Sequence, residues 1–299
     1  MTSSLHSNWQ FLLANALMRG QWFIAPQYVA AHSELIANML NKQSPFSVEQ
    51  PLLSNRPDYV MQAGNGQVIW GIRKNFSEIP KNSVAIFPLK GTMMKDGTWC
   101  SYGTEEIEMF MQAAAAQPNV VGMVLHIDSP GGEVGSIAPI HRGIDYFAKQ
   151  GKPVVSVCDY CYSAGYYAAI KTDLILAEND ISSDFGSIGT MLDFIDSMPI
   201  LEKAGYVHHR IKADESSDKN TAFEQALKGD YTAIKTEMLS PLAQKFQADV
   251  KAARGARLKA DTPGILNGKT FFAKDALAVG LIDDFGDLNK AVQLVLELA

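Results

Sequence analysis

Ser163 sits where an apolar run of strand length, opening at Val154, meets Ala164-Gly165 and a segment of helical character, Tyr166-Tyr167-Ala168-Ala169-Ile170. Small residues at such a strand-to-helix turn let a backbone or substrate come close, and the start of a helix favours negative charge. Ser163 is therefore a candidate nucleophile, although a serine at this place also caps helices. Upstream, Asp128-Ser129-Pro130-Gly131-Gly132 joins the apolar run 120–127 to a helical pattern. Two glycines after a strand expose backbone N–H groups, because no Cβ blocks approach. Donors of this kind hold the oxyanion in acyl transfer, and each one removed costs about 3 to 4 kcal/mol of transition-state stabilisation. A tight turn needing positive φ would use the same pair.

A serine nucleophile needs a base. His6 and His32 lie in the N-terminal segment, His126 in an apolar strand, His141 on the helix after the glycine turn, and His208 and His209 side by side on a strand-like stretch. None has an evident acidic partner in the sequence. A lysine can serve instead, if its ordinary pKa near 10.4 falls to roughly 7 to 8, which asks the site for about 3 to 5 kcal/mol of charge destabilisation. Lys219, in Asp214-Glu215-Ser216-Ser217-Asp218-Lys219-Asn220, is the candidate, and a solvated surface lysine is the plainer reading of the same residue.

Composition narrows the classes. The chain has 299 residues, 47% hydrophobic and 19% charged, with a net charge of -6. That suits a soluble globular protein with a full core. No Lys/Arg cluster offers a phosphate footprint, so nucleic acid is not an expected partner. Cys100, Cys158 and Cys161 are too few for a disulfide framework. Cys158 and Cys161 form a C-x-x-C, but without a second pair or a suitably spaced His they read as buried strand residues, so neither metal nor cofactor is expected. The start lacks a signal-peptide pattern, and the fairly apolar stretch 9–31 is interrupted by Asn15, Arg19, Gln21, Pro26 and Gln27, so no membrane anchor is expected and the location reads as cytoplasmic.

The elements that must position these residues follow from periodicity. Residues 1–50 read as a mainly helical extension, and 51–82 as linker and hairpin around Gly64-Asn65-Gly66. A main domain, 83–299, opens with strand 84–89. A helix with Thr104 as N-cap and Ile107, Phe110, Met111 and Ala114 at helical spacing comes next. Strand 120–127, a helix through Ile137, Ile140, Ile144 and Phe147, and strand 153–158 follow, the pattern of a parallel sheet with right-handed crossovers. Beyond Gly189 the expectations are a helix 193–204, a strand 206–211 and a long helix through Tyr231, Ile234, Met238, Leu242, Phe246 and Val250 bent at Pro241. A helix 273–279 closed by Gly280, a strand at Leu281-Ile282 and a last helix 288–298 complete the chain.

In order and spacing, Asp128-Ser129-Pro130-Gly131-Gly132, Tyr162-Ser163-Ala164-Gly165-Tyr166-Tyr167 and Gly186-Ser187-Ile188-Gly189 resemble the S49 serine peptidases. That family includes signal peptide peptidase A and the capsid-assembly proteases of tailed phages. The similarity runs from about Ser83 to the end and takes in Gly268-Lys269-Thr270, Ala276 and Gly280-Leu281-Ile282-Asp283. It implies an α/β fold of the Clp protease/crotonase type, ββα units stacked in a spiral. It also implies Ser163 as nucleophile, Lys219 as general base, Ser187 as a serine that helps hold the lysine, and the amides near Gly131, Gly132 and Ala164 as oxyanion hole. Ring-forming homo-oligomers with sites at subunit contacts are further implied, so that Lys219 can serve a neighbour's Ser163. Ala164 stands where many relatives have glycine, and the Lys219 loop is more acidic than usual, which leaves Lys212 as the fallback base. Tyr162, Tyr166 and the loop 93–102 are the expected walls of the substrate groove.

The segment 20–29 is similar to the N-terminal region of phage head-maturation peptidases. The resulting expectation is an endopeptidase that cleaves capsid or scaffold proteins and associates with the procapsid. The alternatives are a soluble, signal-peptide-peptidase-like peptidase, a crotonase-like acyl-CoA enzyme that would not need Ser163, and a catalytically silent assembly protein.

Overall fold

A computed structural model of the chain describes residues 22–24, 60–63, 68–70, 79–97, 101–194, 196 and 198–299. The helices read into the first 50 residues and the linker 41–57 lie outside them, and so does the Gly64-Asn65-Gly66 turn. The strands within the described residues are β1 (Trp22–Ile24), β2 (Val60–Ala63), β3 (Val68–Trp70), β4 (Ser83–Lys90), β5 (Val120–Ser129), β6 (Gly131–Glu133), β7 (Val154–Tyr162), β8 (Leu174–Ala177), β9 (Asp184–Gly186), β10 (Thr270–Phe272) and β11 (Asp284–Phe285).

The sheet runs β10-β9-β7-β5-β4-β2-β3, with β8 on the first half of β7 and β11 on β8. Its centre, β4, β5, β7, β8 and β9, is parallel; β10 and β2 add antiparallel margins. Helices cover both faces, which explains why the central strands are continuous apolar runs rather than alternating ones. On one face α1 (Thr104–Ala115) and α2 (Ile137–Lys149) bury Met111, Ile140, Ile144 and Phe147 against Leu125 and Ile127. On the other, α8 (Leu288–Leu298) lays Ala291, Val292 and Val295 over Val84, Val124, Val155 and Val157. Gly122 makes that contact close: a Cβ there would lie 2.4 Å from a Val295 methyl. The β5-β6-α2 order is a strand-strand-helix unit of the kind the S49 resemblance implies. Among the described residues no helix is long and apolar enough to cross a membrane.

Several expectations shift. Thr104 is the first helical residue, not the cap. Gly103 takes the cap and donates its N–H to the Glu106 carboxylate at 2.8 Å, while the buried Thr104 hydroxyl has no partner among the described residues. The helix 193–204 shrinks to α4 (Met198–Lys203), and 206–211 forms no strand. Its alternating Val207, His209 and Ile211 have no sheet edge to join; Val207 is 77% and Ile211 94% exposed. At Pro241 the long helix changes winding: a π-helical turn, Ile234–Leu239, leads into α6 (Ser240–Arg254), accommodating the missing N–H just before the proline. Leu281 and Ile282 are buried core residues, and pairing with β8 begins two residues later at β11.

Candidate active site

Parallel pairing carries the three sequence motifs to one place. In the β5–β7 register Ser129 lies opposite Cys161, so the Gly131 turn and Ser163 leave adjacent strands at the same level. In the β7–β9 register Tyr162 lies opposite Gly186, which brings Ser187 beside Ser163. The carboxyl ends of parallel strands are where such sheets place ligands.

Ser163 must end β7 and start α3 (Ala164–Ala169) with no residue to spare. The turn is made on Ser163 itself, at φ 51° and ψ −112°. A residue with a Cβ pays about 1 to 3 kcal/mol for such a conformation, and it persists only where its surroundings over-determine it. Here the Ser163 N–H donates to the Gly186 carbonyl at 2.8 Å, and the Ser163 carbonyl accepts the Tyr167 N–H at 2.8 Å. The residue is buried, 1% exposed, and no hydrogen bond holds its hydroxyl among the described residues. Behind it, Gly165 packs on β5: a Cβ there would come within 3.3 Å of Ser129 Cβ. Ala164 is the first residue of α3, so its N–H has no intrahelical acceptor.

The glycine pair divides its work. Ser129 Oγ donates to the Gly91 carbonyl at 2.7 Å and accepts the Gly131 N–H at 3.2 Å, so the first glycine amide is used in holding the turn. Gly131 has φ 105°, which explains its identity. On one side of β6, the Gly131 carbonyl accepts the Met93 N–H at 2.8 Å and the Glu133 N–H donates to the Met93 carbonyl at 2.9 Å. Peptide groups alternate along a strand, so the Gly132 N–H and carbonyl face the opposite edge. Gly132 tolerates no side chain, since a Cβ would lie 1.9 Å from the Met93 oxygen. The amides left over from the Ser129 and Met93 bonds are thus those of Gly132, on the edge of β6 that β1 covers, and Ala164. Ser129, which the sequence reading passed over, positions the first of them; its signal was the serine two residues before a glycine at a strand end.

Ser187 shares the positive φ of Ser163, at 54°, anchored by its N–H to the Lys269 carbonyl at 3.0 Å. Gly186 before it has φ 118° and no room for a Cβ, which would meet the same Lys269 oxygen at 2.6 Å.

The tyrosines expected in the groove are interior. Tyr166 is fully buried with its hydroxyl donating to the Leu281 carbonyl at 2.8 Å, and burial pushes its phenol pKa well up. Tyr162 is 4% exposed and donates to Asp184 Oδ2 at 3.0 Å. Aromatic residues beside a reactive serine suggest a pocket wall, but the end of β7 turns Tyr162 and α3 turns Tyr166 inward as core. Met93 and Met94 of the expected wall are buried, and residues 98–100 lie outside the described residues. Cys158 and Cys161 are fully buried, and burial holds the Cys161 thiol protonated.

Lys219 stands apart. It is exposed, its backbone N–H bonds to the Ser216 carbonyl at 3.1 Å, and among the described residues no hydrogen bond joins its amine to Ser163. A concavity of about 670 Å³ lies beside it, bounded by Asp218, Asn220, Phe223 and Met238, and does not include Ser163. The fallback Lys212 is engaged elsewhere, 3.0 Å from the Glu224 carboxylate, whose pKa its hydrogen bond lowers. His126 does have an acid, Glu178 at 3.5 Å, which the sequence did not reveal. It pairs with Val157, six residues before Ser163, or roughly 20 Å along the strand. His141 is bonded to the Tyr167 carbonyl at 2.8 Å, and burial lowers its pKa.

Comparison with known proteins adds the following. The chloroplastic serine protease SPPA of Arabidopsis thaliana is 28% identical over 177 residues, covering 59% of this chain and 26% of that protein. The head-tail preconnector protein GP5 of Enterobacteria phage P21 is 24% identical over 226 residues, covering 72% of this chain and 43% of GP5. The chain thus spans less than half the length of either relative. Among solved structures, a mutant of a membrane-bound stomatin-specific protease is similar, with a TM-score of 0.44 at 18% identity over 70% of this chain and 83% of that one. The family model described as Peptidase family S49 matches residues 146–299, more than half of the sequence and the part that holds Ser163, Ser187 and Lys219, and the chain belongs to that family.

Proposed function

We propose that the protein is a serine endopeptidase in which Ser163 attacks a peptide carbonyl, Lys219 takes and returns the proton, and the Gly132 and Ala164 amides hold the oxyanion. The observation that carries this reading is the meeting of a strained Ser163, its hydroxyl without a hydrogen bond among the described residues, with the Gly132 and Ala164 amides at the carboxyl edge of the sheet. The Ser163 Oγ–carbon bond forms as its proton passes to the lysine amine. Collapse of the tetrahedral adduct expels the amine half of the substrate, which leaves with that proton. Water, deprotonated by the same lysine, then releases the acyl half and restores Ser163.

Lys219 belongs in this scheme as a residue of a neighbouring copy. Every residue from 199 to 211 is exposed in the single chain, including Ile200, Tyr206, Val207 and Ile211. Such an apolar surface fits a protein contact. A ring of copies would bury it and carry Lys219 toward a neighbouring Ser163. Similarity to the phage preconnector protein supports a role in head assembly, with capsid or scaffold proteins as substrates; similarity to SPPA supports a more general protein-degrading peptidase.

The test is labelling by a serine-directed fluorophosphonate together with cleavage of an unstructured polypeptide. Both are expected in the wild type and absent in Ser163→Ala. Labelling that persists in Ser163→Ala would sink the assignment. Co-expression with capsid and scaffold proteins, comparing product lengths with and without Ser163, separates the assembly role from general degradation.

A further inference from the structure

The edge of β6 that the mechanism needs open is occupied by this chain's own N-terminal segment. β1 pairs antiparallel with β6 in the register Trp22 to Glu133, Phe23 to Gly132 and Ile24 to Gly131. Met93 uses the other edge. The Gly132 N–H and carbonyl therefore point at Phe23, and in an antiparallel pair two residues so placed exchange both hydrogen bonds. This is the group assigned above to the oxyanion. An extended substrate laid along the same edge would use the same two atoms, as peptides do when they add a strand to a sheet. One edge takes one strand, so substrate and β1 exclude each other.

We propose that Trp22–Ile24 is a built-in competitor: while β1 lies on β6 the peptidase is latent, and it becomes active when the segment is displaced. This rests on the peptidase reading above and adds to it a regulatory element more than a hundred residues upstream of Ser163. Two properties suit a displaceable occupant. The contact with β6 is three residues long, so a few backbone hydrogen bonds hold it, each contributing modestly in net terms. The β6 strand is also three residues and forms its own two-stranded pairing with β1, off the main sheet, so removing β1 leaves the ladders of β4, β5, β7 and β9 intact.

The full-length Phe23→Pro variant tests this, because proline removes the N–H directed at Gly132 and does not fit within a ladder. Fluorophosphonate labelling of Ser163 and hydrolysis of an unstructured polypeptide are each expected to rise about tenfold, the effect of losing one or two net hydrogen bonds. A synthetic peptide of residues 18–29, added in trans, is expected to inhibit the variant several-fold more strongly than the wild type. Amide exchange at Gly132, measured in Ser163→Ala so that activity plays no part, is expected to accelerate when Phe23→Pro is added. Unchanged exchange, or equal peptide inhibition of both proteins, overturns the inference while Ser163-dependent hydrolysis leaves the peptidase reading standing. Faster exchange without any Ser163-dependent labelling in either protein overturns the peptidase reading, and the latency with it. If Phe23→Pro fails to fold, the same peptide and exchange measurements on Phe23→Gly, which weakens the strand at the paired position without a proline, decide in its place.

Discussion

The carboxyl edge of the sheet and the segment 199–232 both carry residues assigned to one reaction, and they are built in opposite ways. At the edge, Ser163 and Ser187 are buried, held at positive φ and anchored by backbone bonds to Gly186 and Lys269. Around Lys219 the chain is exposed, with short helical turns and apolar side chains facing solvent. On the proposed reading, a single chain preorganises the nucleophile and its oxyanion donors, and the base comes from a neighbouring copy. The difference teaches that strain and burial mark the half of a site that a fold completes alone, whereas exposed apolar surface marks the half that waits for another molecule.

The sharpest way to break this comparison is to separate the halves. Lys219→Ala and Ser163→Ala are each expected to lose turnover by on the order of 10⁴-fold or more. Lys219→Ala should keep its thermal stability within about 0.5 kcal/mol, since the side chain is exposed. Mixed before assembly, the two silent proteins should regain activity, with about a quarter of the sites competent in a randomly mixed head-to-tail ring. No recovery on mixing would place the base within the chain and remove the contrast. Next in size, Gly132→Ala should cost about 10²- to 10³-fold in kcat by displacing an oxyanion donor, because its Cβ would collide with the Met93 carbonyl.

A structural ion pair supplies the third test. Asp283 accepts two hydrogen bonds from buried Arg254, one from Arg257 and one from the Ile175 N–H, tying the end of the chain to β8. Asp283→Asn should destabilise the protein by about 3 to 5 kcal/mol in denaturant unfolding, because it strands a buried guanidinium. Burial would raise the Asp283 pKa, but the hydrogen bonds from Arg254 and Ile175 outweigh it and the net direction is down. A carboxylate depressed in the folded state gives its full stability above the unfolded value near 3.9 and loses it as pH falls through the folded one. The gap between wild type and variant should therefore narrow below about pH 4.

The smallest effect probes strain directly. Ser163→Gly should be more stable than Ser163→Ala by about 1 to 3 kcal/mol, because glycine occupies φ 51° without a Cβ penalty, as unfolding midpoints would show. Equal stabilities would mean the edge is not strained and would weaken the contrast drawn above.

The parallel core was legible because buried strands leave apolar runs and helices leave a three-to-four-residue period; strands 84–89 and 120–127 are present and extended, 153–158 is present one residue later and longer as β7, and the helix 288–298 is exact. Misreadings fell where local pattern lacked a tertiary partner. Residues 206–211 alternate like a strand but find no edge, and Tyr166, next to the nucleophile in sequence, turns into the core.

Residue types and their order pointed to the family by themselves: a serine before small residues at a strand end, glycines at a second strand end, and the motif spacing of Peptidase family S49, because those requirements are local to a few backbone positions. Only the tertiary structure decided that the Gly131 amide is consumed by Ser129 while that of Gly132 faces the β1 edge, that Lys219 is exposed with no hydrogen bond to Ser163 among the described residues, and that Trp22–Ile24 lies on the acceptor edge. Each of those facts depends on which strands pair and in what register, and long-range pairing leaves no trace in any short window of sequence.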